Sequence, residues 1–210
     1  MNLHSASNAL RFGEPLATAQ GAVILLHGRG DSAQGIAGLA KVFDNSKFAF
    51  LAPQATGSTW YPQRFFVPTA ENEPWLTSAL DVVASLVAEI RLAGVPADRI
   101  GLVGFSQGAC LALEYTLRHP LRYGFVGGLS GALIGPAEVV RSEVDLAGTP
   151  ILLGCAEDDP HIPREYVERS AEMLERCGAR VSLHIFGGSA HMVFGEEIEW
   201  LKEQEAKVAG

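Results

Sequence analysis

Ile100-Gly-Leu-Val-Gly-Phe-Ser-Gln-Gly-Ala-Cys-Leu-Ala-Leu-Glu-Tyr-Thr-Leu-Arg-His-Pro120 is the stretch on which the reading of the whole chain turns. Ile100–Phe105 is an apolar run of strand length. From Ser106 to His119 the apolar residues recur at helical spacing, and Pro120 disfavours helix in the residue before it. At the junction stands Gly104-Phe105-Ser106-Gln107-Gly108, a G-x-S-x-G pattern that is common by chance and gains meaning from its place between a strand and a helix. There it describes a sharp turn that lifts a serine hydroxyl above the end of a sheet. Gly104 and Gly108 remove the side chains that would hold strand and helix apart. The plainer alternative is a Gly-rich turn whose serine caps the helix.

Short apolar runs on both sides of this unit alternate with segments of helical period, the pattern of βα units around a parallel sheet buried on both faces. The further strands expected are Ala22–Leu26, Phe48–Ala52, Phe125–Leu129, Ile151–Cys155 and Val181–Phe186. The clearest helix runs from Pro74 to Ala93, with Leu76, Leu80, Val83, Val87 and Ile90 on one face, proline in its first turn and Gly94 past its end. Others are expected from about Arg164 to Cys177 and from Val193 to Ala206. Leu3 to Leu16 reads as one or two antiparallel edge strands. No repeat or linker divides the chain, which is read as one domain over residues 1–210. The long irregular stretch Pro53–Glu73 carries Trp60, Tyr61, Phe65 and Phe66, and its place after a strand makes it a candidate wall or lid of a pocket.

Composition narrows the function. The net charge is −8 and there is no run of Lys or Arg, which argues against nucleic acid or an anionic membrane as partner and favours a small molecule. The 3 cysteines show no CxxC spacing and sit in segments read as core or helix, as expected of thiols in a reducing compartment. The opening residues lack a basic start followed by an apolar stretch, and no apolar run approaches the ~20 residues that span a bilayer. A cytoplasmic protein without stable membrane insertion is the expectation. Its oligomeric state is left open, a homodimer included.

A serine needs a base to take its proton. In the strand–elbow–helix arrangement of the α/β-hydrolase fold the acid and the histidine follow the serine in the chain, which leaves His119, His161, His184 and His191. His119 ends the elbow helix far from the serine, and His184 lies within a strand. His191 follows the turn Gly187-Gly188-Ser189-Ala190 between the last strand and the last helix, where a base can reach the elbow. The acid must come from Glu157, Asp158 or Asp159, and spacing does not choose among them. His161 beside them suggests a metal site, but no second histidine stands at ligand spacing, so no metal is expected. His27-Gly28-Arg29-Gly30-Asp31 follows the first core strand, where this fold places one donor of an oxyanion hole. The backbone N–H groups of Arg29 and Gln107 are the expected pair. His27 itself reads as a strand-end histidine bonded to backbone.

Taken in order, Leu25-Leu26-His27-Gly28-Arg29-Gly30-Asp31, Gly104-Phe105-Ser106-Gln107-Gly108-Ala109, Asp159-Pro160-His161-Ile162-Pro163 and Ala190-His191 resemble the motifs of the phospholipase/carboxylesterase family, which includes the acyl-protein thioesterases. The resemblance spans about residues 20–205. It selects Asp159 as the acid and His191 as the base. It implies an α/β-hydrolase fold with a mostly parallel sheet and no large lid domain, and ester hydrolysis through an acyl-enzyme on Ser106 without metal or organic cofactor. Trp60-Tyr61-Pro62 departs from the Trp-Phe-Asp of the thioesterases. The expected pocket is therefore an open one for short or medium acyl groups, lined in part by Trp60, Tyr61 and Leu133, with ordinary core packing the alternative for the two aromatics. Lysophospholipids and acyl thioesters are the alternative substrates on the same site, and a non-catalytic binding protein of this fold is the non-enzyme reading.

Overall fold

The computed structural model describes residues 3–43 and 47–210; Met1 and Asn2, at the start of the stretch read for a leader, lie outside them. The strands are β1 (Leu10–Gly13), β2 (Gly21–Leu26), β3 (Phe48–Ala52), β4 (Ile100–Phe105), β5 (Phe125–Leu129), β6 (Pro150–Ala156) and β7 (Arg180–Phe186), and the helices are α1 (Ala33–Ala37), α2 (Trp75–Leu92), α3 (Gln107–Arg118), α4 (Arg164–Arg176) and α5 (Gly195–Ala209). They form one seven-stranded sheet in the order β1-β3-β2-β4-β5-β6-β7, parallel throughout except for β1, which runs antiparallel to β3.

The strand runs form a sheet because they are apolar on both faces. Ala22, Ile24 and Leu26 pack with α2, α3 and α4 on one side, while Val23 and Leu25 pack with α1 and α5 on the other. All the residues predicted for the inner face of α2 are buried, from Leu76 to Ile90. Each such side chain contributes about 1.5–3 kcal/mol on leaving water. Pro120 stops α3 as expected, and the His119 ring stacks on Tyr115 at 4.4 Å at the helix end. β7 differs from the inner strands in being only half covered, as the outer member of the sheet.

The start of the chain supplies one edge strand, Leu10–Gly13. Residues 6–8 turn in a short 3-10 helix whose first N–H groups Ser5 caps, so Leu3 to Asn8 never reach the sheet. The short α1 and the turn Gly38–Val42 after it went unpredicted, since five residues carry too little period to register. Among the described residues no helix is long and apolar enough to cross a membrane.

Candidate active site

The parallel strands deliver their following residues to one edge of the sheet, and every residue singled out for chemistry lies there: His27 after β2, Ser106 after β4, Asp159 after β6 and His191 after β7. Ser106 is held at φ 54° and ψ −116°, a strained conformation for a residue with a Cβ. Two close approaches enforce it. A Cβ on Gly104 would meet the carbonyl oxygen of Gly108 at 2.2 Å, and one on Gly108 would meet that of Leu26 at 2.1 Å. The Ser106 amide donates to Leu129 O at 2.9 Å, which ties the elbow to β5. Its hydroxyl makes no cap to α3, so the simple helix-cap reading fails.

That hydroxyl lies 2.8 Å from Nε2 of His191, and Nδ1 of His191 lies 2.7 Å from Oδ2 of Asp159. A carboxylate only accepts, so Nδ1 carries the ring proton and Nε2 faces the serine as a bare acceptor. The other oxygen of Asp159 accepts from the amides of His161 and Ile162 at 2.8 and 3.0 Å. Three donors thus converge on a carboxylate that is only 6% exposed, the condition under which a buried charge is tolerated. Glu157 and Asp158 point to solvent, Glu157 toward Arg164 at 3.3 Å. Phe105 and His161 flank the His191 ring at 4.9 and 4.8 Å.

Above Ser106 opens a cavity of about 510 Å³. Tyr61, Phe65, Phe105, Cys110 and Ile162 give it apolar walls, and Arg29, Asp31 and Arg64 stand among its polar lining. Arg29 and Gln107 line the same cavity as Ser106, and Gln107 opens α3, whose first N–H groups have no acceptor within the helix. Their side chains have a role the sequence did not reveal: both fasten the cavity wall. The Arg29 guanidinium donates to the carbonyls of Tyr61, Pro62 and Gln63 at 2.6–2.9 Å. Gln107 accepts from Trp60 N at 2.8 Å and donates to Tyr61 O at 2.8 Å. Asn72 holds the far end through Gln63 N and Arg64 O.

Of the residues expected to line the pocket, Tyr61 does so; Trp60 and Leu133 do not. Consecutive side chains of this non-helical segment point opposite ways, so with Tyr61 facing the cavity the Trp60 ring turns into the core. It is fully buried there, and its indole N–H donates to His27 O at 2.9 Å. Leu133 lies behind α4, where its amide is held by Ser170 Oγ at 2.9 Å, and its side chain lines a separate groove.

Two buried groups also missed from sequence lie beside the His191 turn. Ser130, just past β5 and at φ 49°, donates its hydroxyl to Met192 O at 3.1 Å. Residues 129 and 130 thereby hold both the Ser106 turn and the His191 turn. Glu197, in the first turn of α5, accepts from Phe194 N at 2.8 Å, while its other oxygen has no hydrogen-bond partner among the described residues. Burial pushes this carboxyl up to about 7. Burial likewise lifts the thiols of Cys110 and Cys155 to about 12, which leaves them un-ionised. His27 behaves as expected of a structural histidine. Its Nε2 accepts from Ala55 N at 3.1 Å, so Nδ1 carries the proton toward Gly28 O at 2.7 Å, and burial holds its pKa below the usual value. Among the described residues, no group of three or more His, Cys, Asp or Glu side chains is arranged to hold a metal ion.

The family model described as Phospholipase/Carboxylesterase matches residues 10–208. The chain belongs to the phospholipase/carboxylesterase family. Among curated relatives, acyl-protein thioesterase 1 of Schizosaccharomyces pombe is 30% identical over 83% of this chain and 84% of its own length. Acyl-protein thioesterase 1 of Kluyveromyces lactis is 28% identical over 91% and 93%. Among solved structures, the phospholipase/carboxylesterase of Dyadobacter fermentans superposes with a TM-score of 0.91 at 39% identity, covering 98% of this chain and 99% of that one. The carboxylesterase of Mesorhizobium loti, at 20% identity and a TM-score of 0.71 over 95% and 99%, shares the fold. Like other members of the phospholipase/carboxylesterase family, the chain is a serine hydrolase of the α/β-hydrolase fold, with the activity of an esterase or thioesterase.

Proposed function

We propose that this protein is a cytoplasmic carboxylesterase that hydrolyses esters of short to medium acyl chains through an acyl-enzyme on Ser106. The observation that carries the reading is the unbroken hydrogen-bonded chain from Ser106 through His191 to buried Asp159, opening on an apolar cavity. As the Ser106 oxygen attacks the ester carbonyl, its proton passes to Nε2 of His191, and Asp159 stabilises the imidazolium. The amides of Arg29 and Gln107 receive the charge on the carbonyl oxygen. One such donor is typically worth about 2.7–4 kcal/mol in the transition state. The imidazolium then protonates the leaving alcohol. A water activated by the same histidine releases the acid and regenerates Ser106.

The buried side chains of Tyr61 and Cys110 close the inner side of the cavity, which supports short or medium acyl groups. The three buried thiols support a reducing, cytoplasmic setting. A second reading, acyl-thioester hydrolysis, rests on the thioesterase relatives. The test is turnover of p-nitrophenyl esters of increasing acyl length by wild type and Ser106→Ala, run beside a thioester of the same acyl group. Turnover that the variant loses, best on short or medium esters, is expected. Equal inertness of both proteins on every ester and thioester overturns the proposal.

A further inference from the structure

We propose that His4 is a positioning residue for the substrate cavity, fastening the backbone of residues 56–60 from behind so that Tyr61 stays in place at the inner wall. The inference rests on the esterase reading above and extends its substrate site to a segment more than a hundred residues from Ser106 in the chain.

The segment at His4 is built in. The amides of Leu3 and His4 both donate to Ser78 Oγ of α2 at 2.9 Å, and Thr56 Oγ1 donates to Leu3 O at 2.6 Å. The His4 ring is 3% exposed and lies between the indoles of Trp60 and Trp75, with centroids 5.5 and 5.4 Å away. Its Nδ1 receives the amide of Thr56 at 3.1 Å, and its Nε2 lies 3.0 Å from Trp60 O. Since a backbone N–H only donates, Nδ1 is bare and Nε2 carries the proton that Trp60 O accepts.

Trp60 is thus gripped from two sides. Gln107, from the elbow helix, takes its N–H, and His4 takes its C=O. The next residue is Tyr61. The arrangement requires neutral imidazole, because a proton on Nδ1 would set two N–H groups against each other. Its surroundings favour that state. Ser78 and Trp75 from α2 and Thr56 and Trp60 from the loop are uncharged; burial lowers the pKa of His4, and among the described residues the charge of His27 acts in the same direction, while Asp81 of α2 lines the same surface groove. Loss of the imidazole leaves Trp60 O without a partner in a buried place and takes from the Thr56 amide its acceptor. Ser106, His191 and Asp159 are anchored elsewhere, so binding suffers before chemistry.

The test uses p-nitrophenyl acetate and hexanoate with wild type, His4→Phe and His4→Gln. Phenylalanine fills the space without either hydrogen bond, whereas the glutamine amide carries a donor and an acceptor on neighbouring atoms and does not titrate. At pH 8, His4→Phe is expected to raise KM for hexanoate about tenfold, equivalent to roughly 1.4 kcal/mol, with kcat on acetate within about twofold of wild type, and His4→Gln to restore KM. As pH falls toward 5, KM for hexanoate rises in wild type and stays flat in His4→Gln. A folded His4→Phe with unchanged KM overturns the proposal, as does an acid rise of KM that persists in His4→Gln. If His4→Phe does not fold, the His4→Gln pH comparison decides. If wild type hydrolyses no ester, the functional reading fails, and nitrogen NMR of the ring judges His4 alone. A neutral Nε2–H ring well below pH 6.5 supports the brace, and a ring titrating like that of an exposed histidine overturns it.

Discussion

The two sides of the cavity are held by different means. Ser106, Asp159 and His191 stand on turns after parallel strands, and hydrogen bonds among the ends of those strands and turns fix them: Ser106 N to β5, the amides of 161 and 162 to Asp159, Ser130 to the histidine turn. The opposite wall, residues 55–65, contains no strand. It is pinned by His4, His27, Arg29, Asn72 and Gln107, side chains from outside the segment that reach its backbone. On the proposed function, regular structure positions the reacting groups, and individual hydrogen bonds position what recognises the substrate. Damage to one side should therefore appear in kcat and damage to the other in KM.

Asp159→Asn tests the first half most severely. It keeps the shape but favours the wrong tautomer of His191, so kcat on the acetate ester should fall on the order of 10³–10⁴-fold with KM nearly unchanged. Gln107→Ala sharpens the contrast, because one residue serves both sides. The backbone N–H survives while the grip on Trp60 and Tyr61 is lost, so KM for a medium-chain ester should rise about tenfold or more and kcat should change much less. If kcat collapses in step, the division is wrong. Ser130→Ala should do the reverse at smaller scale, lowering kcat about fivefold, as expected for one buried hydrogen bond. It should leave chain-length preference alone.

Glu197→Gln gives the smallest effect, read in thermal stability. The fold raises this carboxyl to about 7 from an ordinary value of 4.5. The folded state therefore binds the extra proton, and the group's contribution to stability is complete below 4.5 and lost as pH rises through 7. The melting temperature of wild type should fall relative to Glu197→Gln between pH 5.5 and 8, by about 2–4 °C for each kcal/mol in a chain of this size. Parallel curves would show that the carboxyl titrates as if exposed.

The same division explains what the sequence disclosed. β4, the elbow and α3 were legible because an apolar run, two obligatory glycines and a helical period lie within about twenty residues. His191 was legible from its turn between the last strand and helix. Asp159 could not be told from its two acidic neighbours without the family resemblance. What distinguishes it is burial under the amides of 161 and 162, which spacing does not encode. At Trp60 the core-packing alternative holds and the pocket-lining one does not, and His4 was not read at all. Bonds such as Thr56 N to His4 and Trp60 N to Gln107 join residues 52 and 47 apart with no periodic signature.

One property of that wall bears on how such an enzyme diversifies. Arg29 grips the carbonyls of residues 61, 62 and 63, and Gln107 the amide of 60 and the carbonyl of 61. Carbonyls and amides persist whatever side chain a codon specifies, proline's missing N–H apart. Positions 61–63 can therefore exchange their side chains while the clamps keep their hold, and a descendant can acquire a new substrate preference in one mutational step without first rebuilding the frame that displays it.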